Sequence, residues 1–332
     1  MSDRSPGADV SLDAAEGISA EPVTQWDLFR TRLARHKQAR IAAIFLSLLF
    51  AIVFAAPFVT CAERDAYCGK LLEHPATQLR DPQTGLLLVQ SPPSTTRPFG
   101  TDDIGRDVLS RVIHGGRASL TVGLMTGLIV ATVGTVVGAL AGYYPGAVDQ
   151  VLMRIVDVIL GLPLLPVAIV FGSLVPQIPV LPAFLKEGAW VIAFLLGILL
   201  WGGLARIVRA EFLSLREKEF VEAARAAGSN DRRIIFRHIL PNAMSPIIVA
   251  TTLVVGTAII IEAALSFLGF GVRPPTPTWG GMSAAGARVA TKGFWWEFLA
   301  SSSALVATVL AVNFMGDGLR DALDPTQTIE RK

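Results

Sequence analysis

Residues 219–246 read EFVEAARAAGSNDRRIIFRHILPNAMSP. Two glutamates, an aspartate, four arginines and a histidine crowd this block, yet apolar runs at 189–206 and 247–270 flank it. Each flank is long enough to cross a bilayer, so the block reads as a loop between two membrane spans, and the fold follows from that reading. The loop has internal order. Residues 217–227 are strong helix formers, Gly228 has the place of a helix end, and Ser229, Asn230 and Asp231 are candidate N-caps of a second helix predicted to stop at Pro241. Ala223, Ala224 and Ala227 are small enough for another protein to approach closely, while Glu222 and Arg225 supply charge at the rim. A solvated basic loop is the competing reading; the glycine break, the alanines and the closing Ile239, Leu240 and Pro241 favour a docking surface.

Composition agrees with spans on either side. Of 332 residues 52% are hydrophobic and only 17% charged, with a mean hydropathy of +0.53, whereas soluble domains carry about 25% charged residues. A formal net charge of +2 gives no reason to expect nucleic acid as a partner. A bilayer core about 30 Å thick needs roughly 17 to 25 apolar residues of helix, and six segments qualify: 41–59, 119–141, 154–175, 189–206, 247–270 and 298–316. Asp157, Pro163 and Pro166 interrupt the third, which is predicted to be a kinked span. The expected fold class is therefore an all-α membrane protein of six transmembrane helices. The first span is read as an uncleaved anchor, residues 1–24 as a disordered tail, and 25–40, with Trp26, Phe29 and Leu33 at helical spacing, as an amphipathic surface helix.

Lys and Arg near span ends resist translocation. Arg30, Arg32, Arg35, Lys37 and Arg40 precede the first span, so the N-terminus is expected in the cytoplasm. An even number of spans returns the C-terminus there, and the loop 207–246 shares that side, while 60–118 and 271–297 lie opposite. Cys61 and Cys68 then fall on the extracytoplasmic face, where two readings stand: a small-loop disulfide or two free thiols. Their spacing, without a nearby histidine pair, argues against zinc, and no metal site is expected. No GxxxxGK[ST], HExxH or GxSxG occurs, so the chain carries no motif for nucleotide hydrolysis or for a hydrolase, and nucleotide energy would have to come from a partner.

The stretch EAARAAGSNDRRIIFRHILP resembles the EAA loop of binding-protein-dependent ABC importer permeases, with Glu222, Ala223, Ala224 and Gly228 at the family's spacing and Ile239, Leu240 and Pro241 closing it. FGTDDIGRDVLSRVIHGGRASLTVG at 99–123, DQVLMRIVDVILGLPLLPVAI at 149–169 and EAALSFLGFGVRPPTPTWGGM at 262–282 look like segments of dipeptide, oligopeptide and nickel importer permeases, and favour the second, C-type permease of the pair. These matches cover most of residues 99–325 and do not cover the extended N-terminus or residues 60–98. The resemblance implies a type I importer bundle in the bacterial inner membrane, a homologous B-type permease partner and two cytoplasmic ATPase subunits that use ATP and Mg. It also implies an extracytoplasmic solute-binding protein, and a coupling role for Glu222, Ala223, Ala224, Arg225, Gly228, Ile239, Leu240 and Pro241. No cofactor is expected on this chain, which would catalyse no covalent step.

Other residues invite physical readings. Glu262 lies inside the fifth span, where an ionisable group is costly; it either lines the pathway or fixes helix packing. Asp157 is expected to pair with Arg154 or a loop arginine. Gly123, Gly127, Ala131, Gly134, Gly138 and Gly142 are predicted to form one close-packing face of the second span. Residues 102–118, with Gly105, Gly115 and Gly116, are expected to be at best a broken helix. A different class, an ion-coupled secondary transporter or channel, would need intramembrane charges or paired broken helices; Glu262 and the prolines of the third span are its only support here.

Overall fold

The computed structural model describes residues 31–34, 36–60, 73–178, 182 and 188–323. Residues 1–30, including Trp26 and Phe29, and Cys61 and Cys68 lie outside the described residues. Nine helices are used below, and among the described residues no strand forms. They are α1 (Lys37–Val59), α2 (Val108–Tyr143), α3 (Ala147–Gly161), α4 (Leu164–Leu174), α5 (Ala189–Leu215), α6 (Glu219–Ala226), α7 (Asp231–Phe267), α8 (Trp279–Ala290) and α9 (Trp296–Leu323). Helices α1, α2, α5, α7 and α9 are long and apolar enough to cross a membrane, and α3 with α4, bent by 88°, is apolar enough to be either a broken sixth span or a re-entrant loop.

The bend corrects the expected kinked span. Leu162 has φ −73° and ψ 133°, the extended backbone that a following proline imposes. The chain therefore leaves α3 at Gly161, and α4 starts one residue after Pro163. Pro166 costs nothing further, because in a first turn its missing N–H would have no partner.

A second correction concerns 102–118. Instead of breaking at its glycines, α2 starts at Val108 under an Asp107 cap, whose Oδ2 accepts from Ser110 N at 2.9 Å, and runs for 36 residues. Gly115 and Gly116 serve contact, not termination. A Cβ on Gly116 would lie 2.8 Å from the Trp279 ring and 2.9 Å from Val53 Cγ2, and one on Gly115 would touch Thr278 at 3.4 Å. Here α1, α2 and the start of α8 close on one another, and Trp279 Nε1 donates to Val112 O at 2.8 Å. The N-terminal end of α2 also carries the loops before it. Ser110 Oγ donates to Glu73 O at 2.5 Å, and the buried Asp102 accepts from Arg106 N and Nε at 2.8 and 2.6 Å. Trp296 Nε1, at the start of α9, donates to Thr101 O at 2.9 Å.

The remaining glycines of α2 serve two neighbours, not one face. Gly123 and Gly127 abut Val255 and Ile259 of α7, whereas Gly134, Gly138 and Gly142 abut α5, with backbone oxygens of Trp201, Ala205 and Arg209 at 3.0, 2.5 and 2.7 Å from the Cβ each lacks. The stripe winds because nineteen residues at about 100° each leave a drift of roughly 100° beyond whole turns. Backbone thus meets backbone along α2 and α5, as small residues allow in membrane helices.

Candidate functional site

The polar loop folds into two joined helices. Helix α6 is amphipathic: Val221 is fully buried against the cluster that holds Tyr143, Phe212, Ile234, Ile239 and Ala243, and Ala224 packs partly on it. Glu222, Ala223, Arg225, Ala226 and Ala227 are exposed. The helix ends in a Schellman turn. Gly228, at φ +80°, donates to Arg225 O at 2.9 Å, and Ser229 N donates to Ala224 O at 3.0 Å. The left-handed backbone there suits glycine and strains any other residue. Two residues later Asn230 caps α7, its Oδ1 accepting from Arg233 N at 2.9 Å.

Pro241 does not stop this second helix. It runs on to Phe267, widened over Ile234–Ile239 into a π-type turn in which Leu240 N bonds to Ile235 O. The proline clash belongs to the regular α-helical turn, with the carbonyl four residues back, and a wider turn just before Pro241 is a place where a proline can be accommodated. The wider turn also brings Ile234 and Ile239 inward, both fully buried. Ile239 is therefore an internal anchor, not a contact surface, and Leu240 packs partly on the same cluster. Of the residues expected to dock a partner, Glu222, Ala223, Arg225, Gly228 and Pro241 are exposed. Sequence reasoning missed Phe220 and Phe236, 41% and 62% exposed beside them; two aromatics in a polar loop were the available signal.

The end of α2 meets this loop. Tyr143 and Tyr144 hydroxyls donate to Asp231 Oδ1 and Oδ2 at 2.7 and 3.2 Å. The Arg225 guanidinium stands 5.9 Å from the Tyr143 ring centroid. Desolvation, and then the charge of Asp231, push the Tyr144 hydroxyl above the ordinary tyrosine value. Neither tyrosine was singled out from the sequence, because 87 and 88 positions separate them from Asp231.

Asp157 pairs with Arg206, toward the loop end of α5, at 2.6 Å, and not with Arg154. One turn away on α5, Arg209 grips Asp149 with two bonds of 2.5 and 2.6 Å. These pairs fix α3 against α5. Glu262 is fully enclosed; Ser266 and Ser119 hydroxyls donate to it at 2.7 and 3.2 Å, and Trp279 N donates to Ser119 Oγ at 3.3 Å. The carboxyl joins α2, α7 and the start of α8.

Comparison with known proteins places this geometry. The family described as binding-protein-dependent transport system inner membrane component matches residues 134–329. A putative peptide permease protein of Brucella suis biovar 1 is 41% identical over 241 residues, 72% of this chain and 76% of that protein. The dipeptide transport system permease protein DppC of Bacillus subtilis is 37% identical over 294 residues, 89% of this chain and 83% of that protein. Among solved structures, a chain of the inward-facing MetNI methionine ABC transporter is similar with a TM-score of 0.52 at 19% identity, covering 64% of this chain and 96% of that one. This last likeness concerns the fold, which the helical bundle shares.

Proposed function

Because the chain belongs to the binding-protein-dependent transport system inner membrane components, we propose that it forms half of the path by which peptides or similar small solutes cross the bacterial inner membrane. A homologous B-type permease supplies the other half. The outer face of α6 docks on cytoplasmic ATPases, which bind ATP and Mg, and an extracytoplasmic binding protein delivers the solute. The termini and the loop 207–246 lie in the cytoplasm. ATP-driven closure of the ATPases moves the docked loops and switches access from one side of the membrane to the other; this chain binds, transmits and packs, and transfers no covalent group.

The exposed face of α6 carries the reading. A short helix anchored inside by Val221, beside Ile234 and Ile239 of α7 in the same cluster, with small or charged side chains outside, is rigid enough to be pushed and bare enough to be docked. Glu262, hydrogen-bonded and closed off, supports packing over an ion path. Glu222→Lys reverses charge on the docking face, and Gly228→Pro cannot adopt φ +80°. Both variants are expected to insert in the membrane, to lose ATPase co-purification and to abolish uptake. Unchanged uptake in vesicles would remove the coupling assignment.

A further inference from the structure

Helix α2 ends in AGYYPG, residues 141–146. Pro145 drives the residue before it out of the helical region, and Tyr144 accordingly leaves α2 at φ −107° and ψ 81°. On an unbroken helix adjacent side chains point about 100° apart. The break turns the second tyrosine back, so both hydroxyls reach one carboxylate, with the rings edge to face at 4.9 Å. Asp231 is free to receive them because Asn230, not Asp231, caps α7. Its charge is favoured by the N-terminus of that helix. From α6, Arg225 covers the Tyr143 ring, and from the end of α5, Arg216 Nη1 donates to Tyr143 O at 3.5 Å.

We propose that the clasp of Tyr143 and Tyr144 on Asp231 is the strut that delivers a displacement of the α6 surface to α2, which makes these three positioning residues for coupled transport. The inference rests on the docking role of α6 given above. Apolar contact such as that of Val221 is non-directional and can slide, whereas hydrogen bonds to a charged acceptor hold direction and length. Beyond the clasp, α2 is locked to α5 at Gly134, Gly138 and Gly142, where backbones nearly touch. A push on α6 therefore reaches α2 through the clasp and α5 through the glycine seam.

The test uses the full complex with its ATPases and binding protein in lipid vesicles, and reads a radiolabelled dipeptide, chosen as one the unaltered complex takes up, accumulated per ATP hydrolysed. Tyr143→Phe and Asp231→Asn are each expected to lower that ratio about tenfold, as for one lost hydrogen bond to a charged group. The double variant does no worse than Asp231→Asn alone, because both changes remove one contact. The ATPases co-purify with every variant in the amount seen for the unaltered chain. An unchanged ratio, additive losses or loss of the ATPases from the variants would each overturn the strut. Failure of the unaltered chain to retain ATPases would instead bring down the docking role of α6. Where Asp231→Asn does not accumulate in the membrane, Tyr143→Phe and Tyr144→Phe, which remove only hydroxyls, decide the question.

Discussion

Glu262 shows how much one residue holds. Its two oxygens take Ser266 and Ser119, and Ser119 in turn takes the backbone of Trp279. Glu262→Ala leaves both hydroxyls without their acceptor and opens a void, for an expected loss on the order of 3 kcal/mol. A lowered melting temperature of the detergent-solubilised chain checks this, and an unchanged one refutes it. The sequence marked Glu262 through the cost of a carboxyl in an apolar run. It could not supply the partners, since Ser119 is 143 positions away. Local signals fared better: Asn230 was among the candidate caps and Gly228 the predicted break, and both sit where short-range hydrogen bonding requires them. Ile239 faces inward because a π-type turn, which has no periodic signature, decides its direction.

At the scale of helices, the seam of α2 on α5 makes a sharp prediction. A Cβ on Gly138 would stand 2.5 Å from Ala205 O and 2.6 Å from Val208 Cβ, backbone and branch point that cannot swing aside. Gly138→Ala is expected to cost about 1–3 kcal/mol by overpacking. Gly203, also inside a helix, has nothing within 4 Å of its absent Cβ. Gly203→Ala should be neutral or stabilising by up to about 1 kcal/mol, since alanine is the better helix former. Thermal melts of the two variants side by side check the pair; equal shifts would contradict the seam. The apolar runs showed where helices lie, because hydrophobic length is local information. They did not show where helices end. Arg111, His114 and Arg117 halt the apolar run at the start of α2 while its hydrogen bonds continue, and the small residues of Trp279–Ala290 gave no apolar run from which to expect α8.

For the whole molecule, orientation is the broadest prediction. With Cys61 and Cys68 replaced by serine, Ser229→Cys in the α6–α7 turn should react with a membrane-impermeant maleimide in inverted vesicles and not in right-side-out ones; the opposite pattern would reverse the topology. Five of the long membrane helices were legible as apolar runs, and the family from its loop motif, whereas the 88° bend between α3 and α4 appeared only as a kink. That bend has a consequence in backbone terms. An unbroken helix satisfies its own peptide groups, but a break sets free carbonyls at one stump and amides at the other, and hydrocarbon offers them nothing. Gly161 and Leu162 are exposed on this chain. The chain closes part of this break itself, with Leu162 N on Ile159 O at 3.2 Å and Val167 N on Pro163 O at 3.1 Å, and because Pro163 and Pro166 bring no amide the pair turns through 88° with few donors left to satisfy.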